Sequence, residues 1–335
     1  MKTLFSSFHN PSFWTITEYA ERAIMKLGHE LIPFDDREFI IPGRVRQRVE
    51  FLHKWDLKRL NRKLVSLASL LKPDLCFVAG GNRILPETLK TLKSQGIITA
   101  LWTVDAPRDF RPILEAASFY DHIFCGGTES QELLARAGFQ KTHWLPFACD
   151  PDIHKPVETS SEEKAEWGSD VAFIGSIYPN RAQILEKIVD FDLKVWGPGW
   201  KKLPRGSALK KLATAQKLKP GEWVKILSSS KINLAIHFQD GKTPCYQASP
   251  RVYEALACRS FLLVDEQRDV KSLFQDGKHL AFFKNSEDLR EKIDYYLNHA
   301  DDRKKMAAQG YEEVIHKHTY MNRIEKMFSI IEADK

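Results

Sequence analysis

Residues 245–265 read CYQASPRVYEALACRSFLLVD, and this stretch lays out an anion site followed by a buried strand. Ser249 is a residue type that caps helices, and Pro250 suits a first helical position. Val252, Ala255 and Leu256 then form an apolar stripe, and Phe261 to Val264 is a continuous apolar run of strand length. Arg251 and Glu254 lie three apart, so they share one helix face near its start. A helix N-terminus offers unpaired N–H groups and a partial positive charge. Arg251 adds a forked donor matched to phosphate oxygens. Glu254 adds an acceptor for a pair of ribose hydroxyls. A nucleotide satisfies both residues; an ordinary surface ion pair is the alternative that this window alone leaves open.

Working upstream, the second half of the chain alternates strands and helices. Strands are expected at 170–174, 193–196 and 231–237. The first exits into Gly175-Ser176, with Arg181 in the first turn of the next helix, and the second exits into Gly197-Pro198-Gly199-Trp200. Glycines at strand exits let a backbone approach anion oxygens, although plain turns use them too. The segment 201–219 carries seven lysines and arginines and no acid. Downstream, strand 279–283 and a helix over 287–297 follow, then a helical tail with a break near His318-Thr319. The residues expected to line a nucleoside-diphosphate site are Gly175, Ser176, Arg181, Trp196, Gly197, Ser249, Arg251, Tyr253 and Glu254. For Trp196, core packing is the competing reading.

The first half has the same rhythm, with strands at 3–8, 30–34, 75–79, 97–104, 122–125 and 141–145. In open parallel sheets ligands bind beyond the carboxyl ends of strands. Those ends carry His9, Gly80, Gly81, Asp105 and Gly126. Asp105 is the candidate for orienting or deprotonating an acceptor hydroxyl; a turn role in Asp-Ala-Pro competes with it. Residues 44–71 read as a basic amphipathic segment. It suits an anionic acceptor or a membrane surface, or simply a solvated helix face, since Glu50 and Asp56 interrupt the charge.

At 335 residues the chain is long for a single core and suits two domains. The expected division is 1–150, a linker at 151–169, a second domain at 170–318, and a final helix at 319–335 packing back on the first domain. The net charge of +6 is compatible with polyanions but selects none. The five cysteines include no CxxC pair, which argues against zinc ribbons and for a reducing compartment. There is no GxGxxG after the first strand, no GxxxxGK[ST] and no HExxH, so NAD, P-loop and zincin chemistry find no support. The N-terminus is a poor signal peptide, and no apolar run reaches transmembrane length. A cytoplasmic protein is expected, at most peripheral to the inner membrane face through the basic segment.

The residues also resemble a known family. LPFACDPDIHKP (145–156), DVAFIGSIYPNR (170–181), SPRVYEALACRSFLLVDE (249–266), and EKIDYYLNHADDRKKMAAQG with the later HKHTYMNR resemble the CgeB-like (spore maturation) GT-B glycosyltransferases, related to the group 1, or family 4, retaining enzymes. The resemblance implies an α/β GT-B fold of two Rossmann-like domains facing a cleft, with the nucleotide sugar held mainly by the second. It implies sugar transfer to an acceptor hydroxyl with retention, no metal and no cofactor beyond the nucleotide-sugar co-substrate. Glu254 matches the family's ribose-binding glutamate, and Arg251 and Arg181 match positions facing the diphosphate. Arg251 and Arg181 are accordingly the candidates for stabilising the departing diphosphate, and Asp105 remains the candidate on the acceptor side. Two positions depart from the pattern. Tyr246 stands where a second glutamate is usual, and Arg259 stands where a glycine is usual. A sugar-nucleotide 2-epimerase and a non-catalytic nucleotide-sugar-binding or scaffold protein remain alternatives. A nucleic-acid partner is disfavoured, having only the basic segments in its support. The sugar, the base and the acceptor are not readable from the chain.

Overall fold

The computed structural model describes residues 1–10, 14–104, 106–108, 110–214, 218–219 and 221–334. The chain divides into two compact units, one of residues 1–146 with 323–335 and one of residues 147–322.

The first unit is a six-stranded parallel sheet in the order β2-β1-β3-β4-β5-β6. Its elements are β1 (Lys2–Ser7), α1 (Ile16–Lys26), β2 (Glu30–Asp35), α2 (Gly43–Arg46), α3 (Glu50–Leu71), β3 (Leu75–Ala79), α4 (Pro86–Ser94), β4 (Ile98–Thr103), α5 (Arg111–Ala117), β5 (His122–Cys125), α6 (Thr128–Arg136) and β6 (Thr142–Trp144). Every residue of β3 and β5 is buried, as parallel strands covered on both faces require. Thr15 and Glu18 form a capping box that fixes the start of α1. Gly127 occupies the cap position of α6, and Gln131 donates to the Thr142 carbonyl.

The second unit is also a six-stranded parallel sheet, ordered β12-β11-β10-β7-β8-β9. It comprises α7 (Ser161–Trp167), β7 (Val171–Ile174), α8 (Pro179–Glu186), β8 (Leu193–Trp196), α9 (Leu209–Leu212), β9 (Ala213–Thr214), α10 (Glu222–Ser229), β10 (Ile232–Ala235), α11 (Pro250–Ala257), β11 (Leu262–Asp265), α12 (Arg268–Leu273), β12 (Ala281–Phe283), α13 (Ser286–Asn298) and α14 (Ala300–Lys317). The final helix, α15 (Tyr320–Ala333), begins in this unit and belongs to the first from Arg323 onward. There Arg323 donates to the Pro146 carbonyl, and Ile324, Met327, Phe328 and Ile331 are buried.

Residues 151–169 are not a free linker. Ser160 and Glu163 cap α7 reciprocally, Lys225 of α10 pairs with Glu163, and Lys194 donates to the Ala165 and Glu166 carbonyls. The basic segment 201–219 carries the edge strand β9, which pairs with β8.

The sheet orders place a switch between β7 and β10 in the second unit and between β1 and β3 in the first. Crevices beyond the carboxyl ends at such points are where open α/β sheets bind ligands.

Candidate active site

At the switch of the second unit, two strand exits are locked together. Gly197 has φ +136, and a Cβ there would lie 2.2 Å from the Gly175 carbonyl oxygen, so no other residue fits without moving the backbone. The Gly175 N–H donates to the Trp196 carbonyl, and the Trp200 indole donates to the Gly175 carbonyl. Arg181 then braces the next exit, donating to the Ile236 and Ser176 carbonyls at 2.7 and 2.9 Å. Its guanidinium lies over the Tyr178 ring. Burial and the neighbouring Arg251 charge lower its pKa against the pull of Tyr178 and Asp265, and it stays a cation.

The loop after β10 is tied to the start of α11 by a histidine. His237 Nδ1 lies 2.6 Å from Asp265 Oδ1, while Nε2 accepts from the Ser249 N–H at 3.0 Å. An accepting Nε2 requires Nδ1 to carry the proton, so His237 is a neutral ring donating to Asp265. The same carboxylate accepts from the His237 backbone N–H. This relay sets where α11 begins. The packing of α14 sets its back: a Cβ on Gly310 would meet the His279 carbonyl and Leu256.

Arg251 and Glu254 project from the first turns of α11. Arg251 Nη1 stands 2.8 Å from Glu254 Oε2, out of line for a hydrogen bond. Nη1 and Nε are both buried, with no hydrogen-bond acceptor among the described residues. Buried donors normally find partners; here Nη1 faces the Glu254 carboxylate, and Nε has no acceptor among the described residues. Glu254 is nearly buried and also faces His154, whose Nε2 lies 3.8 Å from Oε1. His154 Nδ1 accepts from the Asp150 N–H, which puts its proton on Nε2, toward the carboxylate. Burial lowers the His154 pKa despite Glu254.

Residues 181–329 match the family model described as glycosyl transferase-like. Sucrose-phosphate synthase from Thermosynechococcus elongatus superposes with a TM-score of 0.73 at 10% identity, covering 100% of both chains. Anabaena Alr3699/HepE, solved with UDP and glucose, gives 0.70 at 12%, covering 99% of this chain and 100% of that one. The chain has the GT-B fold of these neighbours. It is similar to the Bacillus subtilis (strain 168) spore protein CgeB, 23% identical over 262 residues, or 74% of this chain and 80% of that protein.

The second unit brings Gly175, Ser176, Arg181, Gly197, Ser249, Arg251 and Glu254 to one switch region. Two expected lining residues depart from it. Tyr253 is fully buried, its ring packed near Phe274 and His318, because it lies on the core side of α11. Trp196 is 4% exposed and sits within β8, so it packs in the core. Ser249 is the N-cap by position, but its hydroxyl makes no capping bond. Asp105 lies outside the described residues. His9 pairs with Glu21 of α1 at 2.8 Å. Tyr246 lies under the Arg268 guanidinium, so an aromatic ring, not a carboxylate, occupies that position. Arg259 adopts the left-handed backbone that favours glycine, at φ 55. His154 falls within the 145–156 motif, and its place against Glu254 depends on a contact across a hundred residues that no local pattern encodes.

Proposed function

We propose that the second unit binds a nucleoside-diphosphate sugar, UDP-glucose being the first candidate, and transfers the sugar with retention to an acceptor hydroxyl without a metal. The observation that carries this reading is the half-buried Arg251 guanidinium at the start of α11, with Nη1 beside the Glu254 carboxylate and Nε without an acceptor among the described residues. In this reading Arg251 and the α11 N–H groups take the diphosphate and stabilise it as it departs. Charge developing on the leaving phosphate is where preorganised donors lower a barrier most. Glu254 accepts the ribose hydroxyls, with His154 holding its other oxygen. Arg181 acts one step back, holding the loops of β7 and β10 in place. The Anabaena neighbour solved with UDP and glucose supports the donor class. An acceptor base is expected from the first unit, with Asp105 as the candidate.

The test is titration of the full chain with UDP-glucose, UDP and glucose. Arg251→Ala removes a charge-assisted pair and is expected to weaken UDP binding by roughly 1.5–3 kcal/mol, with the fold intact by circular dichroism. Incubation with UDP-glucose and no acceptor separates transfer from C2 epimerisation, since only an epimerase inverts the donor unaided.

A further inference from the structure

A second cavity, of 780 Å³, lies wholly within the first unit. Four arginines line it, Arg37, Arg46, Arg48 and Arg83, against one carboxylate, Glu50. Arg37 follows the carboxyl end of β2, and Arg83 follows that of β3, the ligand side of an open parallel sheet. Glu50 does not neutralise the wall: it is fully exposed and paired with Lys54 at 2.7 Å.

Two buried side chains of α3 make the wall rigid. Asp56, fully buried, accepts from the Ile40 and Ile41 N–H groups and from Arg59. Asn61 donates to the Arg83 carbonyl and accepts from the Leu85 N–H and the Thr88 hydroxyl. Both loops that carry the arginines are therefore held by α3. Arg46 stacks 3.6 Å over Phe39 and donates to the Ile41 carbonyl, so its guanidinium is oriented before any ligand arrives. Asp36, buried, accepts from Arg83 through Nη1 alone, at 3.3 and 3.4 Å.

We propose that this cavity is the acceptor subsite and that the acceptor carries a phosphate group, bound by Arg37, Arg46, Arg48 and Arg83. The proposal rests on the glycosyltransferase reading above and adds the acceptor's chemical class. Guanidinium forks match phosphate oxygens two at a time, and four around one cavity far exceed what a neutral sugar needs. Two sources supply that chemistry: a soluble phosphorylated acceptor or a lipid headgroup. Exposed Val45, Val49, Phe51 and Trp55 on and beside the same helices suit the second.

The test uses the full chain with UDP at saturation, so that phosphate positions of the second unit are filled. Inorganic phosphate is titrated calorimetrically. In parallel, the chain is sedimented with vesicles of phosphatidylglycerol and phosphatidylcholine, and with phosphatidylcholine alone. The variant is Arg37→Gln/Arg48→Gln, both exposed positions. It is expected to weaken binding of whichever phosphate source the wild type takes by about tenfold or more, with UDP affinity within about twofold. Binding of inorganic phosphate alone identifies a soluble acceptor; phosphatidylglycerol-dependent sedimentation lost in the variant identifies a headgroup. Wild-type chain that binds neither source overturns the proposal, as does binding unchanged in the variant. UDP is titrated separately into ligand-free wild type and variant, so a failed donor reading shows as absent UDP binding, not as an unchanged phosphate response.

Discussion

The two units share a six-stranded parallel sheet with a switch in strand order, yet they treat arginine in opposite ways. In the second, Arg181 is used up on backbone carbonyls, and Arg251 is half-buried and paired with a nearly buried carboxylate. In the first, arginines ring an open cavity, and the burial is spent on Asp56 and Asn61 behind the loops. Under the proposals above, one architecture makes two grades of anion site: a half-buried cation held beside a carboxylate in the second unit, and an open arginine wall on fixed loops in the first.

The strongest way to break this contrast is at the glycine lock. Gly197→Ala puts a Cβ on the Gly175 carbonyl at a left-handed φ, and such strain costs roughly 1–3 kcal/mol before any clash is counted. The second unit is expected to melt early while the first keeps its transition, as two calorimetric endotherms would show. His237→Ala comes next. It strips Asp265 of its imidazole partner and leaves the Ser249 N–H unpaired, costing roughly 1–3 kcal/mol, and UDP affinity falls with the loosened start of α11. Asp56→Ala costs a similar amount in the first unit, but UDP affinity is expected to hold. A fall there contradicts the separation of the two sites.

A milder probe is pH. Burial lowers the folded-state pKa of His154, and that of His279 in the same unit. The unfolded chain therefore takes up these protons first as pH falls. The stability they contribute is complete above the ordinary histidine value and is lost as pH drops through the folded one. A protonated His154 also claims Glu254 more strongly, so UDP affinity is expected to decline over the same range. His154→Gln flattens that decline. The smallest effect expected is Arg259→Gly, which relieves a left-handed residue and stabilises the second unit by roughly 1 kcal/mol, read as a higher Tm with unchanged UDP affinity.

Strands were legible where apolar runs were continuous: 75–79, 122–125 and 193–196 begin and end as the sequence suggests. β9 was not, because Ala213-Thr214 sits among lysines and earns its place only by pairing with β8. α7 carried a readable signal, Ser160 with Glu163, that its proline- and serine-rich surroundings masked. α5 has no side-chain cap and was missed. In the site, Arg251 and Glu254 could be paired from their spacing of three on one helix. The partners that position them, His154, His237 and Asp265, come from separate loops and strands and meet only in the fold. Tyr253 shows the opposite failure: it neighbours Glu254 in sequence, and helix geometry turns it into the core.

The central claim is that Arg251 and Glu254 together hold a nucleoside diphosphate. Calorimetric titration of wild type, Arg251→Ala, Glu254→Gln and the double variant with UDP and with uridine tests it most directly. The account predicts that Arg251→Ala weakens UDP but spares uridine, and that Glu254→Gln weakens both. UDP binding at wild-type affinity in both single variants would contradict it.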